Sequence, residues 1–296
     1  MTTRAGTPVV VGVDGSEQGL AAVDLAARYA TERHLPIRVV HGFTWPYLGT
    51  VPMSPATVEM PEKALKDEAD HFLAEGIERA RRAAPDLDVT GEVVVGTGGS
   101  VLVAESRHAA AVVVGDRGLG GFTGLLVGSV AVQVVSHGEC PVLVCRGRQD
   151  PDGPVLLAAD GSPDSAGAVA LAFEEASLRG AALRVVHTWL YPVAAGPGDM
   201  LPLVYDARDL EAEERRVLAE ALAGWSERYP DVVVEEELVR GRAAPRLIDE
   251  SRKAQVAVVG ARGRGGFAGL ILGSVSQAML HHAGCPVIVV RRPSGH

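Results

Sequence analysis

The residues of this chain best suited to chemistry lie in two glycine-rich stretches. Gly115-Asp116-Arg117-Gly118 runs on to Gly128-Ser129, and Gly260-Ala261-Arg262-Gly263 runs on to Gly273-Ser274. Both keep the spacing G-x2-G-x9-G-S, which a generic turn has no reason to preserve. Glycines without a Cβ let backbone N–H groups approach an anion, and a helix opening at Ser129 or Ser274 adds unpaired amides and a positive dipole end. Such a loop can cradle a phosphate. Arg117 and Arg262 inside it offer a guanidinium to that phosphate or to solvent. Asp14 and Asp160, each followed by Gly-Ser, bring carboxylates that can accept from a base or ribose, approach a metal, or close an Asx-turn.

Other chemistries are poorly supplied. A Walker A loop needs lysine after glycine, and Lys63, Lys66 and Lys253 follow Glu62, Leu65 and Arg252. Gly263 to Ala268 matches G-x-G-x-x-A, yet it follows the fourth strand of its half, its counterpart Gly118 to Thr123 fails at the last position, and no acidic residue stands at the ribose distance. A nicotinamide or flavin site is discounted on those grounds. The histidines and cysteines form no metal-ligand spacing, and His281-His282 beside Cys285 reads as a helix end. His41 and His187 end matching strands, where packing or backbone bonding is favoured over general-base work. There is no G-x-S-x-G elbow and no nucleophile-base pair, so no catalytic residue is assigned.

The elements that must position these residues repeat. Gly115 and Gly260, Gly128 and Gly273, and Cys140 and Cys285 are each 145 residues apart, while Asp14 and Asp160 are 146 apart. A period this long means two whole domains, expected at 1–148 and 154–296 with a polar, turn-rich linker at 149–153. In the first half the apolar pattern predicts strands at 9–13, 37–41, 89–95, 111–114 and 142–145, and helices at 17–31, 62–84, 100–108 and 129–137. Ser16 is the expected cap of the first helix. The second half predicts strands at 155–158, 183–187, 232–239, 256–259 and 287–290, and helices at 164–179, 205–229, 245–252 and 274–282. The stretch 43–61 contains Pro46, Pro52, Pro55 and Pro61 and reads as a long loop, a candidate lid. Alternating strands and helices predict an α/β fold: two tandem doubly wound domains, each with a mostly parallel sheet, helices on both faces and ligands at the carboxyl ends of the strands. The last strand of each half is an expected edge, open to pairing between domains or chains.

Composition sets the surroundings. The 296 residues are 47% hydrophobic and 22% charged, near globular averages, and no apolar run approaches the roughly 20 residues of a spanning helix. The net charge of −9 repels nucleic acid and acidic membrane. The first residues carry no signal-like apolar segment, so a cytoplasmic location is expected. Three cysteines without a framework spacing are expected as reduced thiols.

The Asp-Gly-Ser element, the G-x2-G-x9-G-S loop and the Cys-Pro-Val approach to the last strand together resemble the universal stress proteins, and the resemblance covers both halves. The tandem form resembles two-domain members of that family. The resemblance implies a five-stranded parallel sheet per domain in the order 3-2-1-4-5, dimers through the last strands, and ATP with Mg2+ as ligand. It implies adenosine beside Asp14, Gly15 and Val40, with ribose and phosphates at Gly115, Arg117, Gly118, Gly128, Ser129 and Val130. In the second half the same roles fall to Asp160, Gly161, Val186, Gly260, Arg262, Gly263, Gly273, Ser274 and Val275. The function implied is a nucleotide-dependent stress-response regulator, with a slow ATPase or a dimerisation scaffold with vestigial sites as alternatives. Because Asp116 adds negative charge to the first loop and Arg264 positive charge to the second, tighter and more salt-sensitive ATP binding is expected at the second site.

Overall fold

The computed structural model describes residues 6–45, 59–119, 127–149, 152–190, 207–264 and 271–292. The chain divides into two compact units, Met1–Gln149 and Asp150–His296. In the first unit the elements run β1 (Val9–Gly12), α1 (Glu17–Thr31), β2 (Ile37–Phe43), α2 (Glu59–Ala83), β3 (Val89–Val95), α3 (Gly98–Glu105), β4 (Ala111–Gly115), α4 (Ser129–His137) and β5 (Val142–Cys145). Its strands lie in the order β3-β2-β1-β4-β5 with parallel neighbours. The second unit runs β6 (Val155–Ala158), α5 (Ala166–Arg179), β7 (Leu183–Trp189), α6 (Ala207–Leu222), α7 (Trp225–Arg228), β8 (Val234–Arg240), α8 (Ala243–Ser251), β9 (Val256–Gly260), α9 (Ser274–His282) and β10 (Val287–Val290). Its order is β8-β7-β6-β9-β10, again with parallel neighbours.

The central strands are valine-rich because both faces of a parallel sheet are covered. Val9, Val10, Val11, Val112 and Val113 are fully buried, as are Val155, Leu157 and Val258, and each such side chain contributes about 1.5–3 kcal/mol of burial. In the first unit α1 packs on α2 and α3 on α4, one pair per face. The outer strands are tied by arginine. Arg38 on β2 donates to Glu92 on β3 at 2.7 Å and to Glu105 on α3 at 2.9 Å, and Arg184 on β7 meets Glu237 on β8 at 2.8 Å.

Ser16 caps α1 as the sequence predicts, its Oγ accepting from Gly19 N at 3.0 Å. Several boundaries depart from the sequence pattern by a few residues, and three of the departures have a clear local cause. Helix α2 begins at Glu59, so Pro61 sits in the first turn, where its missing N–H has no helical partner to lose. The rest of the expected lid, 46–58, lies outside the described residues. Helix α5 begins at Ala166, after a turn in which Ser165 N donates to Ser162 O at 3.0 Å. The single helix expected over 205–229 is two helices, because Gly224 takes φ +77° between them. The break lets Trp225 and Tyr229 stack on buried Phe173 at centroid distances of 5.8 and 6.0 Å.

Candidate functional site

At the carboxyl end of the sheet each unit joins its first βα turn to its glycine loop by one aspartate. Asp14 Oδ1 accepts from Ser16 N at 3.1 Å and from Ser16 Oγ at 2.5 Å, an Asx-turn. Its Oδ2 reaches across to the loop and accepts from Leu119 N at 2.9 Å. Asp160 repeats this, with Oδ1 on Ser162 N at 2.9 Å and Oδ2 on Arg264 N at 2.8 Å. Both carboxylates are therefore clasps. A Cβ at Gly118 or Gly263 would overlap the clasping oxygen, which explains those glycines. Burial pushes the Asp160 carboxyl up, but the N–H donors of Ser162 and Arg264 outweigh it and leave the group below the usual carboxylate range.

The loops are pinned at both ends by backbone bonds. Asp116 N donates to Cys145 O at 3.1 Å while Asp116 O accepts from Gly128 N at 2.7 Å, and Ala261 does the same with Val290 O and Gly273 N at 2.8 Å each. Gly128 and Gly273 then serve as the caps of α4 and α9, and among the described residues no side chain caps either helix. By contrast α1 and α3 are capped by Ser16 and Thr97. The uncapped first turns of α4 and α9 thus keep donors in reserve at the mouth of each loop.

In the second unit the loop opens on a cavity of about 570 Å³, within the range of a small-molecule site. Of the residues expected at this site, Asp160, Val186, Gly260, Arg262, Gly263, Gly273, Ser274 and Val275 line it. Gly161 does not: it takes φ +68° beneath Val217, whose side chain would collide with a Cβ there. Apolar surface comes from Ala158, Ala243, Leu247 and Val259, with Trp189 at the rim of β7. In the first unit Val40 is buried, its carbonyl accepting from Val13 N at 3.0 Å. Gly15 takes φ +81° under Phe72. Arg117, Ser129 and Val130 are exposed beside Gly115, Gly118 and Gly128, while 120–126 of that loop lie outside the described residues.

Two cavity groups had not been singled out from sequence. Ser276, buried in α9, hydrogen-bonds the carbonyls of Ala261 and Gly273 at 2.9 Å each and so holds the loop to the helix. Glu214 on α6 takes His187 Nε2 at 2.8 Å and Arg264 Nη1 at 3.2 Å on one oxygen. His187 Nδ1 also bonds Ala159 O at 2.7 Å, and His41 Nδ1 bonds Val13 O at 2.8 Å, the backbone role expected of both. Phe72 and Val217 cover matching glycines, so Glu214 stands where the first unit has Ala69, and Arg264 where it has Leu119. The two changes are complementary in charge. The cation that Arg264 adds to the second loop is matched by a carboxylate, which removes the basis for the extra salt sensitivity expected from Arg264.

A doubly wound sheet that occurs twice, each time with a glycine loop leading into an uncapped helix at the strand ends, defines a tandem α/β protein. The model of the Universal stress protein family matches residues 7–146 and again 153–291. The chain belongs to that family. Universal stress protein Rv1996 of Mycobacterium tuberculosis is 40% identical over 306 residues, spanning 96% of this chain and 95% of its own length. The crystal structure of a universal stress protein from Archaeoglobus fulgidus DSM 4304 has the same fold, with a TM-score of 0.68 at 18% identity over 97% of each chain. A universal stress protein solved in complex with cAMP is 30% identical over 48% of this chain and 99% of that chain, with a TM-score of 0.37.

Proposed function

We propose that both units bind ATP with Mg2+, and that the protein is a cytoplasmic, nucleotide-dependent regulator of a stress response. The observation that carries this reading is the glycine loop leading into an uncapped helix, α9, on the wall of an apolar-lined cavity of about 570 Å³. Backbone donors at one end suit a phosphate chain, and the apolar slot between β6, β7 and α8 suits a base. Among the described residues no cluster of three or more His, Cys, Asp or Glu side chains is placed to hold a metal ion. In this reading the phosphates carry the magnesium, as that ion commonly allows.

The site is read as one that holds nucleotide without a dedicated apparatus for cutting it. Asp160, Glu214 and His187, the titratable side chains best placed to act on a water, are each hydrogen-bonded within the protein. Regulation then comes from a nucleotide-dependent change in partner choice. A homodimer through the last strands belongs to this reading on the family resemblance alone. No helix among the described residues is long and apolar enough to cross a membrane, and the net charge of −9 disfavours nucleic acid as a partner.

Mass spectrometry of small molecules released by denaturing freshly purified protein tests the ligand. ATP is expected. Protein that releases no nucleotide and shows no thermal shift with added MgATP would leave the reading without support and favour a scaffold role, and steady ADP production on incubation would favour a slow ATPase.

A further inference from the structure

Beside the cavity, where β10 runs out, Arg262, Arg291, Arg292 and Asp164 surround a small notch with Ala261, Ile271 and Val290. Asp164 is the only acid on its wall among the described residues. It meets Arg262 at 3.4 Å and Arg292 at 3.5 Å, one on each oxygen. Arg291 is left over: its Nη1 is buried and has no hydrogen-bond partner among the described residues. Burial, and then the neighbouring Arg262 cation, push the Arg291 guanidinium below its ordinary range. A buried guanidinium nitrogen without an acceptor is costly, and natural proteins seldom leave one so.

The first unit shows what normally fills this place. Arg117 and Arg146 stand at the positions of Arg262 and Arg291, and Asp116 stands where the second unit has Ala261. The Asp116 side chain is 15% exposed and lies 3.9 Å from Arg117. Burial pushes its carboxyl up, while the charges of Arg117 and Arg146 pull it down. In the second unit Ala261 lacks that anion; Asp164, which stands where the first unit has Gln18, pairs with Arg262 and Arg292 but not with Arg291, and Gly147 of the first unit is replaced by a further arginine, Arg292.

We propose that the notch formed by Arg262, Arg291 and Arg292 binds a phosphoryl group, which supplies from outside the anion that Asp116 supplies within the first unit. The enclosed part is about 20 Å³, room for roughly one water-sized atom. One phosphoryl oxygen enters to meet Arg291, and the others stay outside within reach of Arg262 and Arg292. Arg262 lines both the notch and the cavity, so the phosphoryl group is the terminal one of a nucleotide lying along the glycine loop. That source rests on the nucleotide reading above, whereas the notch itself does not, because inorganic phosphate offers the same oxygens. The consequence is a difference between two sites on one chain: the second counts phosphates and the first does not.

Calorimetric titration of the full chain, its Arg291→Gln and Arg291→Lys variants, and Ala261→Asp with ATP, AMP and inorganic phosphate tests the proposal. Ala261→Asp copies the first unit, so it introduces nothing the fold has not already accommodated. Arg291→Gln and Ala261→Asp are expected to weaken ATP at one of two sites about tenfold, the size of a lost charge-assisted contact, with AMP unchanged and Arg291→Lys intermediate. If ATP binds and its ratio to AMP is the same in all four proteins, the notch proposal is overturned and the nucleotide reading stands. If no nucleotide binds but phosphate does, and Arg291→Gln and Ala261→Asp abolish it, the notch stands and the nucleotide reading falls. Binding of neither ATP nor phosphate sinks the notch as well.

Discussion

The aspartate clasp can be tested by an isosteric change, Asp160→Asn. Asp160 gives one oxygen to Ser162 N at 2.9 Å and the other to Arg264 N at 2.8 Å. Asparagine keeps a single acceptor oxygen, so one of these bonds must be lost and the survivor becomes a neutral one. Hydrogen bonds to a charged group contribute about 1.5–3 kcal/mol and neutral ones about 1 kcal/mol, and with the site partly open to solvent the expected loss is about 2 kcal/mol. The loss is local, because it releases the glycine loop from the β6–α5 turn without touching the sheet. Hydrogen exchange followed by mass spectrometry is therefore the right assay, with peptides covering 160–165 and 260–264 read separately. An opening cheaper by about 2 kcal/mol speeds exchange by roughly 30-fold at 1.4 kcal/mol per decade. The matching peptide at 115–119 in the first unit is the internal control and should not change. The folded-state pKa of Asp160 is lowered, so the wild-type advantage is complete above the unfolded value near about 3.9 and is lost as the pH falls through the lower folded value. Equal exchange in wild type and variant at neutral pH would refute the clasp.

Two further outcomes are expected. Glu214→Gln removes the carboxylate that balances Arg264 at 3.2 Å, so ATP should bind the second unit a few-fold tighter, on the order of 1 kcal/mol, with a steeper loss at high salt; titrations at two salt concentrations in which the variant tracks the wild type would count against the pairing. Cys140, Cys145 and Cys285 are buried, and burial pushes the Cys140 and Cys145 thiols up to about 12, so a thiol reagent should label none of the three until denaturant is added.

Much of the fold was legible because both kinds of element carry a clear period. Val9 to Val11 and Val256 to Val259 sit on strands buried on both faces, and such strands read as unbroken β-branched runs. Ser16 announced the start of α1 by residue type alone, since a hydroxyl before an apolar period is a cap signal. What was missed turned on glycine and proline. Gly224 lies inside a continuous amphipathic pattern, yet it takes φ +77°, and the helix breaks there with Trp225 and Tyr229 stacked on Phe173. Pro61 looked like a loop residue because proline disfavours helices in general, while in the first turn it costs nothing.

The site divides along a different line. Residues that work through their backbone, the glycines and the residues just after them, could be found from spacing, since close approach and positive φ leave few alternatives to glycine. Side chains that work through partners could not, because the partner of each lies on another element: Glu214 and Arg264 are 50 residues apart in sequence. The duplication itself holds the missing signal. Where the first unit has Ala69 and Leu119 the second has Glu214 and Arg264, a carboxylate and a guanidinium gained together. Where the first has Gln18, Asp116 and Gly147 the second has Asp164, Ala261 and Arg292, a carboxylate moved while a guanidinium is gained. The first exchange is neutral and closes on itself. The second leaves positive charge unmatched at the end of β10, so the two halves differ in where an anion is still wanted rather than in how charged their loops are.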